Sequence, residues 1–416
     1  MDEQVGGDRR LVLAGGRVFD GVSANLFNAD VAVQGERVID VGLELDGDEA
    51  LDVSGHTVLP GLFDCHVHVT VGSIDVVKML EQAFSLQFYV AMQNLERLLS
   101  AGITMVRDAG GADLGIREAV RRGMIQGPDM AIAVTTLGQT GGHTDNWYPS
   151  GVTVPAELLA HPGRPDGVVD GVDAMRRKVR EVIRAGADVI KVCTTGGVLS
   201  PRDSPEHRHF SDDELAALVE EAERAGRWVM AHAQGAEGVK AAVRAGVRSI
   251  EHGVFLDEEA VTLMAEKGVW LVPTLSAPLA VLDAAAAGTQ LPAAALDKAR
   301  EAVERHEQSF RLALQAGVSV AMGTDSGVVA HGTNLRELEL MYRYGMTSNE
   351  VLRSSTSGAA ELLGVEHERG RVAKGYLADL VVVRGDAFSI PEMVRSVVKV
   401  FKHGQEVGVA PRGARA

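Results

Sequence analysis

The chain has 416 residues, 46% of them hydrophobic, which is enough for one large barrel or two to three average domains with a substantial core. Lys plus Arg is 41 against 57 for Asp plus Glu, a formal net charge of −16 that excludes a protein built to neutralise the phosphates of nucleic acid or of an anionic membrane. Two cysteines, Cys65 and Cys193, cannot build a disulfide framework, and neither a signal-peptide core nor an apolar run of roughly 18 residues is found, so a reduced, cytoplasmic chain without a membrane span is expected.

Residues 11–58 alternate apolar and polar side chains between glycine turns and predict short antiparallel strands. The run GHTVLPGLFDCHVHV follows, and then a module begins to repeat: a helical stretch ending in Ala-Gly or Lys-Gly, followed by a short β-rich run with a polar end. The copies are LLSAGITMVRD (98–108), VIRAGADVIKV (182–192), AERAGRWVMAH (222–232), AVRAGVRSIEH (242–252), MAEKGVWLVPT (264–274) and LQAGVSVAMGTD (314–325). Glycine suits the left-handed position that ends a helix, and the short apolar run suits a buried parallel strand. With GHTVLPGLFDCHVHV and PDMAIAVTT (128–136) the count reaches eight strands, the count of a (β/α)8 barrel. SDDELAALVEEAERAG (211–226), with its capped acidic start, exemplifies the helices. The Pro/Gly-rich stretch 149–171 reads as a long mobile loop and the Ala-rich stretch 277–299 as a helical excursion over the barrel mouth. Residues 376–406 return to strand-like alternation. The expected architecture is therefore α/β: a TIM-like barrel over 59–370 and a small composite β-sandwich domain from 1–58 plus 371–416.

In such barrels chemistry sits where strands meet the following loops. The polar residues there are His66 and His68 on the first strand, Lys191 on the fourth, His232 on the fifth, His252 on the sixth and Asp325 on the eighth. Residues i and i+2 of a strand share a face, so His66 and His68 can reach one ion. A lone strand-end histidine is more often a hydrogen-bonded structural residue; four histidines, a lysine and an aspartate together point to a metal site. An ammonium beside divalent cations is disfavoured, so Lys191 fits such a site once carbon dioxide has made it a carbamate, an anion able to bridge two metals. The alternative is a lysine that binds a substrate carboxylate. Strand alternation turns Cys65 away from the His66 face, so core packing is expected of it, as of Cys193.

The segments PGLFDCHVHV, VIKVCTTGGVLS, VMAHAQG, SIEHG and GTDSG resemble the amidohydrolase superfamily, over roughly residues 10–405. VRDAGG, GQTGGHTD and GTDSGVVAHGTNLRELELM are most similar to its prolidase, arginine/lysine carboxypeptidase and imidazolonepropionase-like branch. The resemblance implies two divalent metal ions, most often zinc: His66, His68 and Asp325 on the first, His232 and His252 on the second, and carboxylated Lys191 with a hydroxide between them. Two cations acidify water and polarise the scissile carbonyl, and Asp325 is placed to carry the proton to the leaving nitrogen. It also implies that His143 meets the substrate carbonyl or carboxylate, so His143 joins Asp325 and Lys191 as a catalytic candidate. Further substrate-binding candidates are Gln234, His331, Arg202 and Arg208. Gln234 stands where the prolidase branch carries a carbonyl-polarising tyrosine, a departure from strict Xaa-Pro specificity. Asp108 and Thr274 are read as structural.

The leading expectation is a metal-dependent hydrolase of an amide C–N bond in a small substrate such as a dipeptide or N-acyl amino acid. The alternative is a cyclic amide, carbamate, urea or lactone of a small xenobiotic. A mononuclear deaminase has no need of a bridging carbamate, and a dead scaffold would have lost ligands. A small molecule is the expected partner, with a homo-oligomer compatible with the sequence.

Overall fold

The computed structural model describes residues 9–148, 150–155, 160–200 and 202–408. The six glycines that close the repeated helical stretches, Gly102, Gly186, Gly226, Gly246, Gly268 and Gly317, all have positive φ, between 65° and 104°. L-residues resist that conformation, and at Gly246 and Gly268 it forms the helix C-cap. The helix Asp212–Arg224 opens on a Ser211/Glu214 capping box, carries three acidic residues in its first turn and Arg224 in its last, and buries Leu215, Leu218, Val219 and Ala222. One face of this helix is thus committed to the sheet before tertiary structure selects a neighbour.

The fold is mixed α/β. Parallel strands form a three-stranded sheet in the order Asp129–Ile132, Ile103–Asp108, Leu62–Val67, and a five-stranded sheet in the order Thr136–Leu137, Val189–Cys193, Trp228–Gly235, Ser249–Phe255, Trp270–Val272. The run 128–136 is split by Val134, whose φ of 68° breaks the strand. The expected eighth strand is not a regular strand. Val320 pairs in parallel with Leu271 and Ser326 with Val67, but between them the Met322 amide donates to Ser354 O (2.9 Å) and the Thr324 amide to Asp64 Oδ1 (3.1 Å). Those donors are spent outside a ladder.

The chain ends meet in one six-stranded sheet, ordered Gln405–Val407, Val397–Lys402, Leu380–Arg384, His56–Pro60, Arg17–Val18, Phe27–Asn28. A four-stranded sheet, ordered Arg37–Gly42, Asp30–Gln34, Arg10–Ala14, Glu49–Asp52, shares a core with it that includes Leu13, Val31, Val58, Leu380 and Phe401. The stretch 277–299 lies in the helices Ser276–Ala286 and Ala293–Gln315 and the turn between them, while Pro149 and residues 156–159 of the expected loop lie outside the described residues. Within that loop Thr153–Pro155 pairs with Asp145–Trp147, which precedes it.

Asp129, on a parallel strand, ties this scaffold to the C-terminal sheet through Arg369 (2.5 Å), Lys402 (2.8 Å) and His403 (2.8 Å). Burial opposes ionisation of Asp129, yet the His403 hydrogen bond and the two cations hold its carboxyl below the ordinary range. The same hydrogen bond raises the His403 imidazole above its ordinary value despite partial burial. His403 therefore binds its proton more tightly folded than unfolded. This stabilisation is full below the unfolded value of about 6.5 and fades as pH rises through the folded one. His403→Gln should lower the melting temperature more at pH 6 than at pH 9; an equal loss at both would contradict the assignment.

Candidate metal centre

His66 leaves the strand Leu62–Val67 inward and His68 follows just past its end; Lys191, His232 and His252 leave three adjacent strands of the larger sheet. Asp325 comes from the irregular segment that joins the two sheets. Lys191 Nζ lies 3.4 Å from His66 Nε2, and Asp325 Oδ1 lies 3.6 Å from His66 Nε2 and 3.3 Å from His68 Nε2. The His66 ring centroid is 5.0 Å from that of His252, which is 4.5 Å from that of His232.

Each imidazole has one nitrogen tied to the scaffold. His66 Nδ1 donates to Glu251 Oε2 (2.8 Å), His68 Nδ1 to Gly110 O (2.8 Å) and His232 Nε2 to Gly196 O (3.0 Å). Carboxylates and carbonyls only accept, so the proton positions follow from these partners. His252 Nδ1 pairs with the Thr274 hydroxyl at 2.7 Å. The remaining nitrogens are left for the centre. Burial, then the neighbouring cationic groups, push His66, His232 and His252 well below the ordinary imidazole value, so all three are neutral. Burial likewise lowers Lys191, an amine only 3% exposed. Burial alone would raise the Asp325 carboxyl, but the neighbouring His68, His66 and Lys191 hold it below its usual range. Neutral imidazole lone pairs, a carboxylate and a desolvated amine converge here. That donor set suits a divalent metal.

The backbone at the centre is strained. His252, Thr274 and Asp325 have φ of 74°, 52° and 61°, left-handed values that cost of order 1–3 kcal/mol each for such residues. Asp64 holds the Asp325 turn by accepting from Thr324 N (3.1 Å), Thr324 Oγ1 (2.7 Å) and Asn334 Nδ2 (2.7 Å), and burial pushes it up to about 6. Thr274, read from sequence as structural, orients His252 and lines the cavity.

All six candidate ligands open on one cavity of about 590 Å³. His143 and Gln234 line it as well; His331, Arg202 and Arg208 do not. Arg208 is engaged by Asp212, and Arg202 sits 5.5 Å over the Trp147 ring. In the segment carrying His331 it is Asn334 that reaches the site's supports, donating to Asp64 and to Ser326 Oγ (2.8 Å). Cys65 packs with Phe63, Met105 and Val272, whereas Cys193 lines the cavity rather than the core alone. Asp108 accepts the amides of Val69, Gly110 and Ala112 and is structural.

Sequence reasoning missed three supports. Glu251 accepts from His66 and from Arg107 Nη2 (2.8 Å), with Ser249 Oγ donating to the same carboxylate (2.5 Å). His306, on the helix Ala293–Gln315, donates through Nε2 to His252 O (2.9 Å) and lines the cavity. Lys298, on the same helix, binds the loop that follows Lys191's strand. The signal for the first was visible: charged residues inside apolar strands, in VRD and IEH, require buried partners.

The Amidohydrolase family profile matches residues 57–407. The chain belongs to the amidohydrolase family. Among curated relatives, an ochratoxinase of Aspergillus niger is 32% identical over 430 aligned positions, covering 97% of this chain and 88% of that one. A crystal structure of a Xaa-Pro dipeptidase with bound methionine superimposes with a TM-score of 0.88 at 33% identity, covering 96% and 99% of the two chains. A prolidase complexed with N-methylphosphonate-L-proline gives 0.85 at 35%, with the same coverage. This amidohydrolase is a metal-dependent hydrolase of amide bonds in small substrates.

Removing Glu251 would leave Arg107, 3% exposed, without its carboxylate. Glu251→Gln is expected to destabilise the fold by about 3–5 kcal/mol in denaturant unfolding; an unchanged midpoint would show that the pair contributes nothing.

Proposed function

We propose that the chain is a binuclear amide hydrolase, in which His66, His68 and Asp325 would hold one divalent ion, with zinc the metal to test first, and His232 and His252 would hold the second. Lys191, as its carbamate, would supply a further anionic ligand to the pair. The observation that carries this reading is the convergence of four imidazoles, each with one nitrogen already tied to the scaffold, on a carboxylate and an amine kept from water. A buried amine lowered toward its neutral form is the species that adds to carbon dioxide. When bound, the two cations supply acidified water and a polarised carbonyl. Asp325, held ionised, takes the proton and delivers it to the leaving nitrogen, and Gln234 offers its amide N–H to the carbonyl oxygen. We infer also that the two parallel sheets and residues 320–326 close one eight-stranded barrel, supported by the Leu271–Val320 and Val67–Ser326 bridges. The composite β domain of 1–58 and 371–416 completes the division of the chain.

Within the amide class, the cavity favours a bulky apolar substrate over a free dipeptide. Val76, Leu80, Val152, Val198, Val281 and Leu291 are among its walls, and among the described residues no Lys or Arg besides Lys191 lines it to meet a carboxylate. The same walls suit the cyclic amides and carbamates of the second reading. A panel of Xaa-Pro, Xaa-Arg and Xaa-Leu dipeptides against bulky neutral aryl amides and carbamates should give kcat/KM at least about tenfold higher for the bulky compounds; preference for dipeptides would overturn this assignment.

Protein purified without chelator should carry two equivalents of divalent metal, and 13C-bicarbonate should give a carbamate resonance that Lys191→Met abolishes. A single equivalent with no carbamate signal would reject the binuclear reading. Asp325→Asn should cost about a thousandfold or more in kcat with the fold retained; normal turnover would remove Asp325 from the mechanism.

A further inference from the structure

His143 is held in a slot that fixes its plane. Its ring stacks on His232 at 4.4 Å between centroids and 20° between planes. On Gly197 a Cβ would fall 2.1 Å from His143 Cε1 and 2.4 Å from Nδ1, so the imidazole occupies the space that any other residue there would fill. The Gly196 Cβ position is likewise taken, by Ser204 O at 2.3 Å and Asp203 Cγ at 2.6 Å. The Gly-Gly pair of the sequence is thus a seat for His143 and for the turn that carries Ser200 and Asp203.

The rotation of the ring within that slot is set by Ser200, 3% exposed, whose Oγ lies 2.9 Å from His143 Nδ1. Ser200 Oγ also makes a short hydrogen bond to Asp203 Oδ1, and it accepts from the Gly197 amide at 3.3 Å. A carboxylate and a carbonyl only accept, so the Ser200 hydroxyl spends its one hydrogen on Asp203 or on Gly197 O (3.1 Å). Ser200 has one hydrogen, so it cannot also donate to His143; His143 Nδ1 must donate to Ser200. Lys298 keeps the turn in place, its ammonium donating to Gly197 O (3.0 Å), Ser200 O (2.7 Å) and Asp203 O (2.8 Å) and lying 3.7 Å from Asp203 Oδ1.

The geometry points to Ser200 and Asp203 as positioning residues that lock His143 as its Nδ1–H tautomer, with the Nε2 lone pair offered to the N–H of the scissile amide. This replaces the expected contact of His143 with the substrate carbonyl or carboxylate by one with the amide N–H. Lys298 is the anchor of the device. The tautomer follows from the protein alone; only the substrate partner rests on the amide-hydrolase reading.

The test is two-bond 1H–15N correlation on the full-length, metal-replete protein labelled with 15N-histidine, the His143 signals being those lost in His143→Ala. Wild-type His143 should show a protonated Nδ1 and a bare Nε2, and Ser200→Ala should shift it to a mixture or to the other tautomer. A protonated Nε2 in the wild type overturns the proposal without recourse to any variant, as does an unchanged pattern in folded Ser200→Ala. On an amide that the enzyme turns over, N-methylation of the scissile nitrogen should lower kcat/KM about tenfold, and this preference should vanish in His143→Ala; a preference that persists removes the N–H contact. Failure to hydrolyse any amide would reject the proposed function while the nitrogen spectra still decide the tautomer.

Discussion

Everything at this centre depends on where the protons of buried imidazoles are. A histidine can offer a lone pair to a cation only if it is neutral and its proton is held elsewhere, and in a desolvated pocket both conditions must be built by the protein. Glu251, the Gly110 carbonyl and the Gly196 carbonyl take the protons of His66, His68 and His232, and Thr274 takes one nitrogen of His252. Burial removes the competing charged form. The outer partners are therefore as much a part of the centre as the residues that face it.

That requirement has consequences for the scaffold. Glu251 is fully buried and is tolerated because Arg107 and Ser249 complete its hydrogen bonds, as a buried charge demands. The turn of Asp325 is left-handed and is held by the Asp64 carboxylate, which accepts from Thr324 and Asn334, so the Thr324 amide goes to a side chain rather than to a strand ladder. Regularity gives way where the site needs a side chain aimed inward. The apolar wall contributed by the helices Val76–Glu81 and Ser276–Ala286 leaves the cavity large and short of cations, a setting for a neutral, bulky amide.

Much of this was legible in the chain itself. The helix–glycine–strand repeat determined the α/β class, the positions of the parallel strands and the strand ends at which His66, His68, Lys191, His232 and His252 stand, because glycine's left-handed freedom and the period-2 geometry of strands are local properties, whereas the segment of Asp325 did not form the expected strand. The family resemblance rested on the same short segments. What tertiary structure alone decided are the contacts between residues far apart in sequence: Glu251 with His66, Asn334 with Asp64, Lys298 with the 197–203 turn, and the exclusion of Arg202, Arg208 and His331 from the cavity. No local pattern encodes these, since a side chain's partner across a sheet or from an overlying helix depends on how the whole chain closes. The sequence named the groups that can hold a metal; only the folded chain settled which of their atoms carry protons and what surrounds them.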